Sequence, residues 1–127
     1  MSNPSLQAVI PIYTSKGDAE AMLVYPYLYN RQGEWIGWVT ADRLVYSVLG
    51  HYVGDLTAEP RIIRKRFTST LRPHKAPPQP PPRLAVPAVI PLAPLLAELR
   101  IGETDILLEE PNRLHTLDAG ELREDLE

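Results

Sequence analysis

The chain has no cysteine, a single phenylalanine and only three histidines in 127 residues. Without cysteine there is no disulfide, no thiolate metal ligand and no thiol nucleophile. His51, His74 and His115 lie 23 and 41 residues apart, without the close spacing of a metal site. His51 and Asp55, four apart on an extended strand, are separated by about 13 Å along it, too far for an acid–base pair. No Gly-x-Ser-x-Gly element occurs, so a nucleophile elbow has no support. Gly33-x3-Gly37 and Gly50-x3-Gly54 lack the lysine and the strand-to-helix setting of a phosphate loop. Glu34 with Asp42, and Asp18 with Glu20, read as acids flanking turns on a solvated surface. A long hydrophobic run is also missing. Leu84–Leu99 is interrupted by Pro87, Pro91, Pro94 and Glu98, too short and too broken to cross a bilayer. The first residues, Met1-Ser-Asn-Pro-Ser-Leu-Gln, have neither the basic nor the apolar region of a secretory signal. These absences lead to the expectation of a soluble, cytoplasmic protein that is not an enzyme, holds no cofactor and does not engage a membrane.

Charge of one sign is missing from whole blocks. Residues 60–97 carry seven basic side chains and no acidic one, whereas residues 98–127 carry three basic and ten acidic. The net charge of −3 hides this asymmetry. Blocks of this kind serve interactions or pair with each other.

What is present is a repeat. Ile12-Tyr13, Leu28-Tyr29 and Val45-Tyr46 are each followed by three residues and a glycine (Gly17, Gly33, Gly50), and four residues later by a small residue (Ala21, Gly37, Gly54). The tyrosines sit 16 and 17 residues apart, a period that fits two short strands and two turns. Such self-similarity governs a fold. Gly17, Gly33 and Gly50 fall where a hairpin built on a type I turn needs positive φ. Alternation places Ala19, Trp35 and Tyr52 on one face with Ala21, Gly37 and Gly54, then Leu23, Val39 and Leu56. That face is apolar in every copy and is the expected core. The other face, with Ile36, Trp38, Val53 and Asp55, is mixed and expected to be half exposed.

Tandem hairpins of the form apolar-Tyr-x3-Gly-x3-Gly resemble the 4-fold beta flower proteins, a bacterial family in which short hairpins stand as petals around an axis. The resemblance covers residues 9–71 and implies a radial array. It transfers no catalytic residue. An open SH3-like or PRC-like barrel is the alternative, because Glu34-Trp-Ile-Gly-Trp-Val also fits a strand of those folds. The two differ in whether Tyr13, Tyr29 and Tyr46 are equivalent about one axis. A fourth copy should begin near Ile62-Ile63, yet residues 61–71 contain no turn glycine.

The predicted fold is therefore all-β. An N-terminal arm (1–8) precedes a β-hairpin repeat domain (9–72), which is followed by a Pro-rich linker (73–94) and an acidic tail of short helix and strand (95–127). The linker holds nine of the fourteen prolines and favours extended polyproline II, as a spacer or a peptide ligand. Its second half is too apolar to wave in water and should lie on a surface. In the tail, Pro94 can open a helix through Leu99, residues 104–109 read as a strand, Pro111-Asn112 as a turn, and Asp118–Glu121 as a capping box before a short helix. Arg61–Phe67 is expected to be the outgoing strand of the fourth sector, with 104–109 paired against the array in the same chain or a neighbour's.

For function, the repeat scaffold and proline-rich arm point to a protein-interaction or assembly module, with a protein partner or a homo-oligomer. Trp38 and Ile36 on the outer face, together with Tyr52, are the candidate partner-binding residues, an outward tryptophan being a good anchor. The alternative is a nucleic-acid accessory protein. Its basic patch would be Arg61, Arg64, Lys65, Arg66, Arg72 and Lys75, which could neutralise phosphates. The bland reading of that patch is pairing with the chain's own acidic tail.

Overall fold

Each tyrosine of the repeat sits near the end of a strand that turns back on itself within a few residues. A computed structural model describes residues 8–66 and 72–118. Its strands are β1 (Ile10–Tyr13), β2 (Ala19–Val24), β3 (Tyr27–Asn30), β4 (Trp35–Val39), β5 (Leu44–Ser47), β6 (Tyr52–Leu56), β7 (Ile62–Lys65) and β8 (Glu103–Asp105). Among the described residues they form one antiparallel sheet in strictly sequential order. Four hairpins result: β1–β2, β3–β4, β5–β6 and β7–β8.

The register shows the repeat in detail. Tyr13 pairs with Ala19, Tyr29 with Trp35 and Tyr46 with Tyr52, while Ile12, Leu28 and Val45 pair with Ala21, Gly37 and Gly54. The three tyrosines are thus equivalent, as the radial-array reading requires. Between those pairs one residue is left over in each copy: Glu20, Ile36 and Val53. A one-residue bulge of this kind interrupts alternation, and here it corrects the expected faces. Ile36 and Val53 are turned into the central cluster, with Ile36 only 4% exposed, together with Ile12, Leu28, Val45 and Ile62. Trp35 leaves that cluster and packs with Met22, Val24, Tyr29 and Val48 in a second one near the rim.

The tips share a side-chain device. Thr14, Asn30 and Ser47 open the turns, and the N–H groups of Gly17, Gly33 and Gly50 donate back to their carbonyls at 2.9, 3.1 and 2.9 Å. The Asn30 and Ser47 side-chain oxygens also accept two backbone N–H bonds each. Such local bonds favour turns over continued strand. The three glycines have φ of 89°, 81° and 88°, as the turn reading requires.

The fourth hairpin is made from two distant pieces. Ile62 pairs with Leu56 just as Leu28 pairs with Leu23, and Ile63 pairs with Asp105. The outgoing strand and the pairing of the tail are as expected, within one chain. Residues 67–71 lie outside the described residues. The strand in the tail is shorter than expected, because Asp105 caps a single helical turn, α1 (Ile106–Glu109), by accepting the Leu108 N–H at 3.3 Å. Ile106 and Leu107 enter the central cluster from α1, and Leu114 joins them after a 3-10 turn at Pro111–Arg113. No helix forms over 94–99. The helix expected after Asp118 lies outside the described residues. Since β8 belongs to the same sheet as β1–β7, residues 73–94 are not a boundary between two units.

The sheet curls until its ends meet. The Tyr13 N–H donates to the Pro60 carbonyl at 3.0 Å, tying β1 to the connection between β6 and β7. Beside it, fully buried Asp105 accepts from the Ser15 N–H and Oγ–H at 2.6 Å each. Arg61 donates to Ser15 Oγ at 2.8 Å and pairs with Glu59.

Candidate interaction surface at the rim

The proline-rich segment starts from the tip of the fourth hairpin and returns to it. Arg66 N–H donates to the carbonyl of Gly102, so the chain between them is a strap pinned at its ends. The strap visits the other tips in turn. Lys75 N–H donates to the Gly50 carbonyl at 2.9 Å, and Leu84 N–H to the Gly33 carbonyl at 2.9 Å. Ala93 lies over Gly17, and Tyr13 Oη donates to the Pro91 carbonyl at 2.8 Å. Residues 75, 84 and 93 are nine apart. The residue before each of the first two contacts repeats as well: His74 meets the Leu49 carbonyl, and Arg83 Nε donates to the Gln32 carbonyl at 3.0 Å.

Nine is a physical choice. The strap's described residues, 72–100, form neither helix nor strand, and polyproline II turns once every three residues while rising about 3.1 Å per residue. Three full turns cover about 28 Å and bring the same face back to the next tip. The exposure pattern follows that period: Pro78, Pro81, Leu84, Ile90, Ala93, Leu96 and Leu99 are the half-covered residues, with Val86 added near a bend at Ala88. Leu84, Val86 and Ile90 cover the rim cluster under them. The apolar second half of the segment lies on a surface as expected.

The opposite face of the strap is bare. Val89, Leu92 and Leu95, again three apart, are 84%, 95% and 98% exposed, and Ile101 beyond them is 94% exposed. Isolated apolar residues are ordinary on a surface, but a contiguous ridge is not.

The predicted partner-binding residues are distributed differently. Ile36 is in the core, because of the bulge, and meets no partner. Trp38 and Tyr52 are half-buried and flank Tyr46: Trp38 stacks on it at 5.0 Å and Tyr52 meets it edge-on at 6.0 Å. Both polar tips are engaged, Trp38 Nε1 with the Ser47 carbonyl at 3.2 Å and Tyr52 Oη with Asp55 Oδ1 at 2.7 Å. Burial, that hydrogen bond and the Asp55 charge hold the Tyr52 hydroxyl well above the usual tyrosine range. Cations cover this aromatic row, with Arg72 5.7 Å from the Tyr52 ring centre and Lys75 Nζ 5.7 Å from that of Tyr46. His51 meets His74 at 5.1 Å instead of pairing with Asp55.

The basic patch does not assemble. Arg61 is 3% exposed and occupied with Ser15 and Glu59. Arg64 pairs at 2.9 Å with Glu110, which also pairs with Arg113; the two arginines hold the Glu110 carboxyl below its ordinary value. Lys65 and Arg66 are exposed, while Arg72 lies over Tyr52. The tail's acid thus meets the block's arginine, as the bland reading held. A cleft of about 300 Å³ lies between the second tip (Glu34, Trp35), the strap (Pro80, Pro81, Arg83) and Leu117. Glu59 Oε2 accepts the strap's Ala97 N–H at 2.7 Å, and that bond, with Arg61, holds its carboxyl low. Among the described residues no three His, Cys, Asp or Glu side chains gather as a metal would need, and no helix is long and apolar enough to cross a membrane.

The strap contacts were not read from the sequence. Their only trace there is a basic residue before the first two docked positions, His74-Lys75-Ala76 and Arg83-Leu84-Ala85, nine apart. Comparison with protein-family models, curated proteins and solved structures finds no match.

Proposed function

We propose that the chain is a non-enzymatic interaction or assembly module whose working surface is the outward ridge of the strap. The observation that carries this reading is the bare row Val89, Leu92 and Leu95 on a segment tied to the hairpin body by hydrogen bonds at Leu84, Pro91 and Ala97. A fixed segment loses little conformational freedom when a partner binds, which raises affinity for a given contact. The resemblance to the 4-fold beta flower proteins belongs to this proposal, supported by four hairpins in sequential register. The nucleic-acid alternative has weaker support, since Arg61 and Arg64 are already neutralised by carboxylates and would release few counterions from a phosphate backbone.

Site-specific photo-crosslinking tests the reading. A photoreactive residue at Leu92 should give covalent protein adducts in the cells that express the chain. The same residue at Ala41, exposed on the β4–β5 connection, is the control. Adducts no more abundant at Leu92 than at Ala41 would remove the proposal.

A further inference from the structure

We infer that the partner of this ridge is a second copy of the chain, paired antiparallel about a two-fold axis; this rests on the interaction reading above and names its partner. The argument is in the order of side chains along one side of the strap. Residues 84–97 carry no charge at all, in a chain of which 23% is charged. The neutral strip is bounded by Arg83 at one end and Glu98 at the other, both exposed. Counted every third residue, the polyproline II period, the series runs Arg83, Val86, Val89, Leu92, Leu95, Glu98.

That series is self-complementary. Two copies laid antiparallel bring Arg83 opposite Glu98, Val86 opposite Leu95, and Val89 opposite Leu92, twice over. A two-fold contact requires such a match, because each residue that touches a second one must in turn be touched by it. A parallel arrangement would stack arginine on arginine and glutamate on glutamate, which repel. Val86 packs on the rim cluster ahead of the bend at Ala88, so the bare part of the series is Val89, Leu92 and Leu95, with a charge at either end. Arg83 uses Nε for the Gln32 carbonyl, one of the five donors of a guanidinium. From Arg83 to Glu98 is fifteen steps, about 46 Å at the polyproline II rise of about 3.1 Å.

Sedimentation velocity on the full chain, over a concentration series into the high micromolar range, tests the pairing. The wild type should reach twice the chain mass. Leu92→Glu combined with Leu95→Glu should stay monomeric with unchanged circular dichroism, since both side chains are exposed. Arg83→Glu alone and Glu98→Arg alone should each weaken the dimer about tenfold or more, and the two together should restore it, as opposite charges across an interface do. A wild type that stays monomeric throughout overturns the inference, and so does a double exchange that fails to restore association. Photo-crosslinking at Leu92 separates this failure from that of the broader reading. Adducts with other proteins, from a chain that is monomeric in solution, overturn the self-pairing and leave the interaction surface standing. The absence of any adduct removes both.

Discussion

A methyl group on Gly33 would have nowhere to go. An added Cβ would lie 2.0 Å from the Leu84 carbonyl oxygen, and on Gly50 it would lie 2.1 Å from that of Lys75. On Gly17 the nearest atom would be the Ala93 Cβ at 3.8 Å, an ordinary contact. All three have positive φ, so an alanine carries the left-handed penalty of about 1–2 kcal/mol at each. Gly17→Ala is expected to lose about that amount, and Gly33→Ala or Gly50→Ala at least about twice as much, because the strap must also lift. Chemical denaturation of the three variants checks the ranking, and equal losses would mean that the strap does not press on the tips. Tyr52 offers a second residue-scale test. Its hydroxyl is held above the ordinary value of 10.0 first by burial, then by Asp55. The folded chain therefore keeps this proton where the unfolded chain releases it. Stability from Tyr52 is whole below pH 10 and declines as pH rises beyond it. Tyr52→Phe should flatten the alkaline part of the stability–pH curve, and an unchanged slope would assign it to other groups, such as Tyr29, which burial also raises.

At the scale of elements, the three hairpins were legible because their glycines and tyrosines repeat at short range, and β7 was legible by extrapolating the same period. The bulges were not legible. Nothing in Glu20, Ile36 or Val53 distinguishes a residue looped out of the ladder from one that alternates normally, and the error moved Trp35 and Ile36 to each other's layers. That the apolar half of the strap lies on a surface was legible but its role was not, because composition favours polyproline II without reporting what lies beneath it. Its pairing with the tips depends on residues about 25 to 75 positions away, which no local pattern contains. The strap also joins two strands that pair with each other, β7 and β8. Cleavage after exposed Arg83 by trypsin should leave the two fragments associated under native conditions, held by the sheet and by Ile106, Leu107 and Leu114 in the core. Size-exclusion chromatography of the nicked protein checks this. Fragments that part without denaturant would show that the strap, rather than the sheet, holds the tail.

At the scale of the molecule, the curl is fixed where the first and last hairpins meet. Asp105 comes from β8, Ser15 from the first tip and Arg61 from the strand connection, so three remote segments share one buried network. Removing its acceptor leaves the Ser15 N–H and hydroxyl without their partner and uncaps α1. Asp105→Ala is expected to lose about 2–4 kcal/mol, the sum of an unsatisfied buried donor and a lost cap. Asp105→Asn, which retains one acceptor oxygen, should lose less. Denaturant midpoints measured at constant slope decide the comparison. Two equal losses would mean that the second carboxylate oxygen is essential. No measurable loss in either would show that the curl is closed by the Tyr13–Pro60 bond and the core alone. This network was illegible in sequence for the same reason as the strap contacts: Ser15 and Asp105 are 90 positions apart.

The nine-residue step makes the strap a reading frame of three. One alanine inserted after Ala88 would rotate everything downstream by a third of a turn, rolling Leu92 and Leu95 away from solvent and some body-facing residues outward. Three inserted alanines would restore the phase and leave only about 9 Å of slack. A cysteine introduced at Leu92, in a chain that has none, would report the frame through its rate of alkylation. At a concentration low enough to keep the chain monomeric, labelling should be fast in the parent, slow after one insertion and fast again after three. Length polymorphism in this segment would then be tolerated in triplets, as in a coding sequence, although the constraint here is the pitch of a helix.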